Sequence, residues 1–238
     1  MMAGRAGWRG LYRAGGTAPL VASVFYLSQF LIFFSGETYP TTPQGWFDLF
    51  QRNRILGLFF LNALDIISVS LLGVMFLALY VALRRTYSSS MAIGAFFAFL
   101  GIAVFVSARA NMVAATLSLS ETYATVTTEA QRSQLVAAGW AIQAPGRATP
   151  ETIGFLFIAV AGMIASTVML RSGTFSRLAA YVGISAGMMT LANDVSVVVA
   201  PSVAAVLMPI NGLLWLVWWL MMSRGLLRLG RSASKLRG

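Results

Sequence analysis

Residues 55–83 read ILGLFFLNALDIISVSLLGVMFLALYVAL, a run of 29 residues in which Asp65 is the one charge. As a helix such a run is about 43 Å long, against a bilayer hydrocarbon core of about 30 Å. It is too long and too apolar for the core helix of a soluble domain, so it reads as a membrane span that must tilt or project. Further apolar runs cover 17–35, 91–119, 152–170, 178–199 and 203–222. The pattern predicts an all-α polytopic bundle of six transmembrane helices, one transmembrane domain over residues 1–238, with longer outer segments at 36–54 and 120–151.

Composition agrees. The chain has 238 residues, 58% hydrophobic and 10% charged, with mean hydropathy +0.77, which excludes a soluble globular protein, a disordered chain and a coiled coil. With no Cys and no His, it can build no thiolate or imidazole metal site, disulfide, histidine haem ligand or Ser-His-Asp triad. No cofactor or metal is expected. The single lysine, Lys235, lies outside every apolar run, so no buried amine is available for a Schiff base. The first run follows Arg5, Arg9 and Arg13 like a signal sequence, but it exceeds a signal core and GETYPTTP offers no small-x-small cleavage site. It reads as a retained anchor.

The charges set an orientation. The N-terminal segment, the Arg84-Arg85 turn, the turn from Arg171 to Arg177 and the tail with Arg224, Arg228, Arg231, Lys235 and Arg237 are basic and hold no acid. Arg52, Arg54, Arg109, Arg132 and Arg147 fall on the other side with all seven acids, Glu37, Asp48, Asp65, Glu121, Glu129, Glu151 and Asp194. The positive-inside rule therefore predicts both termini in the cytoplasm, N-in/C-in. The net charge of +10 is spent on topology, and nucleic acid is not an expected partner; membrane lipids are. The Leu-interleaved tail SRGLLRLGRSASKLRG suits anionic headgroups.

Charges inside apolar helices are costly and tend to mark function or face a bundle interior. Asp65 lies 18 residues from Leu83, Arg109 18 from Met91, Asp194 16 from Leu178 and Glu151 19 from Leu170, so all four reach a similar depth near the outer boundary. Asn62, Asn111 and Asn193 stand within three residues of these charges, and Asn211 follows Pro209 in the last run. Four arrangements are open. Arg109 pairs with Asp65 or Asp194 and holds the bundle together; or these residues line an outward cavity where Arg109 grips a carboxylate or phosphate; or the charges sit exposed at the headgroup level and do not meet; or Asp65 and Asp194 share a proton and activate water as a hydrolase dyad. Asp65, Arg109, Asp194, Glu151, Asn62 and Asn111 are thus the candidate ligand-binding residues, and no residue is assigned as catalytic.

Other motifs have packing explanations. Gly183 and Gly187 form a GxxxG helix-contact face, and Trp215, Trp218 and Trp219 fit an interfacial belt. GWFDLFQRNR, residues 45–54, puts Trp46, Phe47 and Phe50 on one face like an interfacial helix, and in TTEAQRSQLVAAGWAIQA Thr128 is placed to cap a helix that ends before the Pro145-Gly146 breaker. The two outer segments could together cap the bundle.

These segments also carry a likeness. GWFDLFQRNRILGLFFLNALDI (45–66), MFLALYVALRR (75–85), SLSETYATVTTEAQRSQLVAAGWA (118–141) and VMLRSGTFSRLAAYVGI (168–184) resemble an uncharacterised family of bacterial multi-pass membrane proteins classed as a domain of unknown function. The resemblance implies a bacterial inner-membrane protein with this helical plan and assigns no activity. The leading functional reading is a non-enzymatic protein that binds or moves a small or amphiphilic molecule; the alternatives are an Asp65/Asp194 intramembrane hydrolase and a structural subunit of a membrane complex.

Overall fold

The computed structural model describes residues 7–33, 39–143 and 150–232. Arg5, Glu37, Pro145, Gly146, Arg147, Lys235 and Arg237, which carried parts of the charge and helix-ending arguments, lie outside the described residues. Within them the helices are α1 (Arg9–Phe33), α2 (Pro43–Arg52), α3 (Arg54–Phe60), α4 (Leu64–Leu83), α5 (Ser88–Thr125), α6 (Glu129–Gln143), α7 (Pro150–Ser172), α8 (Arg177–Val199) and α9 (Pro201–Ser232). Five of these, α4, α5, α7, α8 and α9, are long and apolar enough to cross a membrane. The first helix starts at Arg9, eight residues before the apolar run.

The long helices close a ring. α1 packs on α4, α4 on α5, α5 on α7, α7 on α8, α8 on α9, and α9 returns to α1. Small residues set the closest approaches, as membrane helices require when no hydrophobic effect drives them together. A Cβ on Gly101 would sit 2.5 Å from the Gly154 carbonyl oxygen, and one on Gly154 would sit 2.8 Å from that of Gly101, so α5 and α7 touch backbone to backbone. The GxxxG face of α8 likewise lies on α7, with Gly187 against Met163, while Gly183 sits against Ser166 and Trp218.

The inside of the ring is filled with side chains. Leu72, Met75, Phe76 and Leu79 of α4 join Phe105, Ile158, Met169, Trp218 and Met222 in one cluster. Trp215, Trp218 and Trp219 belong to this core, at 8%, 0% and 7% exposure, and do not form the interfacial belt that their place near the basic end suggested. The glycines and alanines of the facing helices leave room for indoles, and Phe76 and Trp215 hold the Trp218 ring at centroid distances of 6.1 and 5.3 Å.

One end of the ring gathers the basic turns. The Arg84 guanidinium lies 5.6 Å over the Trp8 ring, and that of Arg171 lies 5.4 Å over Tyr87. The Ser223 hydroxyl donates to the Gly16 carbonyl at 2.6 Å, which brings the end of α9 beside the start of α1. The α8–α9 hairpin, with so few residues to turn on, is made by Ala200 alone (φ −148°, ψ 75°), before Pro201 starts the next helix. The pairs Thr190–Asn211 and Gly183–Trp218 lie symmetrically about that turn, as an antiparallel hairpin demands.

At the other end the outer segments form a cap. α5 has 38 residues, about 57 Å of helix, and its outer part projects beyond the ring. Against it lies α2, whose Trp46, Phe47 and Phe50 are buried in protein and not laid into lipid: Trp46 and Phe50 join Leu49, Phe60 and Leu61 in a second apolar cluster, and the Phe47 carbonyl accepts from Ser120 at 3.0 Å. Thr128 caps α6 as its sequence indicates, accepting from the Gln131 amide and donating to its side chain at 2.8 Å.

Candidate functional site

The apolar run 55–83 is not one helix. α3 stops at Phe60, Asn62 adopts a left-handed conformation (φ 52°), and α4 starts at Leu64. Asparagine is among the few residues that enter this region, because its short polar side chain offsets the steric cost locally. The break redirects backbone bonds. In a continuous helix the Asp65 N–H would bind the Leu61 carbonyl; instead it donates to the Asn62 carbonyl at 3.0 Å. The Leu61 carbonyl is left to a side chain, and Arg109 Nη1 donates to it at 3.0 Å.

The close contact of α5 and α7 places the other end of that guanidinium. Gly101, Phe105 and Arg109 follow one another at four-residue intervals, one stripe of α5, and Glu151 stands in the first turn of α7, three residues before Gly154. Where Gly101 meets Gly154, Phe105 packs on Phe155 at 4.6 Å, and Arg109 Nη2 reaches Glu151 Oε2 at 2.8 Å. The two side chains are 12% and 15% exposed. The Arg109 guanidinium also lies 5.5 Å from the Phe105 ring centroid, while its Nε is buried with no acceptor. A buried pair of this kind contributes little net stability, yet removing one partner is expensive. The partner is Glu151, not Asp65 or Asp194 as the sequence suggests, because the close contact of α5 and α7 sets which acid Arg109 meets.

Asp65 stands in the first turn of α4, just past the break. Its Oδ1 accepts from Gln29 Nε2 of α1 at 2.9 Å, and Gln29 Nε2 is also 3.4 Å from the Phe25 carbonyl. Asp65, Arg109 and Glu151 are near enough for their charges to act on one another. Tyr39, between α1 and α2, covers the pair from the cap side, its ring 5.1 Å from Trp46 and 5.7 Å from Phe60. Burial pushes its hydroxyl above the ordinary tyrosine range, with Arg109 opposing and Glu151 adding to the shift.

The remaining predicted residues go elsewhere. Asp194 is on α8, which packs chiefly on α7 and α9, and its carboxylate interacts with the neighbouring Asn193. No contact joins it to Asp65, Arg109 or Glu151 among the described residues. Asn211 accepts from the Thr190 hydroxyl at 3.1 Å, and Trp215 donates to that hydroxyl at 2.9 Å, a polar knot that ties α8 to α9. Asn111 is exposed and lines a shallow outward groove with Ser107 and Pro150. Asn62 serves through its backbone. Gln29, Tyr39 and the Leu61 carbonyl were not anticipated; an amide in the middle of the first apolar run was the available signal for Gln29.

Residues 52–223, well over half of the chain, match the family described as Domain of unknown function (DUF4386). The match takes in Asn62, Asp65, Arg109, Glu151 and Asp194 and stops short of Gln29 and Tyr39. No curated protein and no solved structure matches the chain. An all-helical ring with membrane-length apolar helices, matched along its length from the broken span through most of α9, belongs to the DUF4386 family.

Proposed function

We propose that this chain is a six-span bacterial inner-membrane protein, with both termini cytoplasmic, that binds or moves an amphiphile bearing an anionic head at the Arg109 site. The sixth span is α1, which packs lengthwise on α4 and α9. The basic turns share one end of the ring with the start of α1 and the end of α9, which an even number of passages accounts for. The orientation rests on the absence of acids from that end. The reading is non-enzymatic: the Asp65/Asp194 dyad has no supporting contact, and a filled inner half favours binding from the outer side over an open pore.

The observation that carries the reading is Arg109, a cation inside the bundle that is paired but not saturated. One Nη serves Glu151, the other the carbonyl freed by the helix break, and Nε keeps an unused donor. A carboxylate or phosphate head suits such a fork, and broken helices whose unwound backbone lines the site are the construction many secondary transporters use to bind substrates and ions. An apolar tail would follow the ring surface.

Thermal unfolding in nanodiscs tests this with dodecanoate and dodecyl phosphate against dodecyltrimethylammonium and dodecyl maltoside. A ligand that binds only the folded form at 100 times its Kd stabilises by about 2.7 kcal/mol. The two anions are expected to raise Tm with increasing concentration, and Arg109→Gln to abolish the rise. Equal shifts from all four amphiphiles, or an anion response that survives Arg109→Gln, would contradict the proposal.

A further inference from the structure

We infer that Asp65 is a proton-binding site, its carboxyl held as the neutral acid in a two-legged pair with the Gln29 side-chain amide. The inference concerns the site proposed above and relies on that reading for location alone, not for the identity of the ligand.

Hydrogen bonding supplies the first half of the reasoning. A primary amide offers two N–H donors and one carbonyl acceptor, and an ionised carboxylate is acceptor only. Gln29 Nε2 donates to Asp65 Oδ1 at 2.9 Å and approaches the Phe25 carbonyl at 3.4 Å, which fixes the nitrogen on the side facing both acceptors. Gln29 Oε1 is then left buried without a donor among the described residues. A buried acceptor in that position costs about 1–3 kcal/mol unless something donates to it. Of the two groups already bound to this amide, the Phe25 carbonyl has no proton to give, whereas a proton on Asp65 Oδ2 turns the carboxyl into the missing donor. Acid and amide then bind through both legs, N–H to Oδ1 and Oδ2–H to Oε1.

Charge supplies the second half. Among the described residues, the titratable and charged groups that face Asp65 are Tyr26 on α1, Arg109 on α5 and Glu151 on α7. Arg109 is the single cation among them, and its ion pair is with Glu151 at 2.8 Å. With Asp65 ionised the cluster would hold two carboxylates against one guanidinium and leave a net negative charge inside apolar helices, an expensive arrangement. With Asp65 protonated the cluster is neutral. The proton also fastens α1 to the break in the second span; its loss would set a carboxylate beside an acceptor-only amide oxygen.

Infrared spectroscopy of the protein in nanodiscs at neutral pH reads this directly, since a protonated carboxyl absorbs above the amide bands and an ionised one does not. The wild-type minus Asp65→Asn difference is expected to contain such a band, displaced in D2O and shifted to higher frequency in Gln29→Leu as the Nε2 leg is lost. Absence of the band, or indifference to Gln29→Leu, would overturn the inference. Should Asp65→Asn not fold, the Gln29→Leu displacement decides by itself: a shifted band supports the site and an absent or unmoved one ends it. A band with no dodecanoate binding would remove the proposed ligand and leave the proton; binding with no band would do the reverse.

Discussion

At Arg109 one guanidinium satisfies a carboxylate from another helix and a carbonyl that a broken helix cannot use. Arg109→Ala is expected to destabilise the protein by about 3–5 kcal/mol, because Glu151 is left buried and uncompensated. The double variant Arg109→Met/Glu151→Leu is expected to lose much less, and reversible unfolding in mixed micelles measures both. A similar loss in the double variant would mean that the pair contributes more than mutual neutralisation. At the break, Asn62→Gly should be tolerated, whereas Asn62→Val, branched at Cβ in a left-handed conformation, should cost about 1–2 kcal/mol in the same measurement. The sequence placed Asp65, Arg109, Glu151 and Asp194 at one depth, since residues counted from a turn convert directly to distance along the axis. Which way each side chain points around the ring is a matter of packing partners, and depth does not contain it. Arg109, Glu151 and Asp65 share an interior; Asp194, which the residue count sets beside them, interacts with its own neighbour Asn193.

Among the elements, the break between α3 and α4 was the least legible feature. Hydropathy sums side chains, and FFLNALDI is apolar enough to carry the sum across a single left-handed residue that adds no length. The capping of α6 by Thr128 was legible because that signal is local chemistry. The tryptophans of α9 misled for the opposite reason: interface preference is an average over lipid-facing helices, and here small residues on α7 and α8 open space for indoles inside the ring. Closeness of α5 and α7 depends on two glycines. Gly154→Ala would press a methyl group against the Gly101 carbonyl and the Phe105 backbone nitrogen, each 2.8 Å away, so the helices must part. We expect a loss of about 1–3 kcal/mol and a weaker anion response, as Arg109 and Glu151 separate with their helices. Gly10→Ala in α1, where a Cβ meets nothing within 4 Å, should be neutral or slightly stabilising. Thermal unfolding of the two variants side by side checks the contrast.

For the whole molecule, the ring of helices, the basic end and the capped end make one object with two distinct faces. Long apolar runs announced the bundle early, since a bilayer accepts little besides helices that bond their own backbone. Orientation rests on charge alone. The chain contains no cysteine, so a single introduced thiol is an unambiguous reporter. The most direct test of an outward-facing site is labelling of Thr86→Cys and Thr127→Cys, exposed residues in the Arg84–Tyr87 turn and beside the cap, with a membrane-impermeant maleimide on intact spheroplasts. An N-in/C-in bundle whose Arg109 site opens away from the cytoplasm requires that Thr127→Cys label at once and Thr86→Cys only after the membrane is permeabilised. Labelling of Thr86→Cys in intact spheroplasts, with Thr127→Cys protected, would turn the molecule over and put the site on the cytoplasmic side.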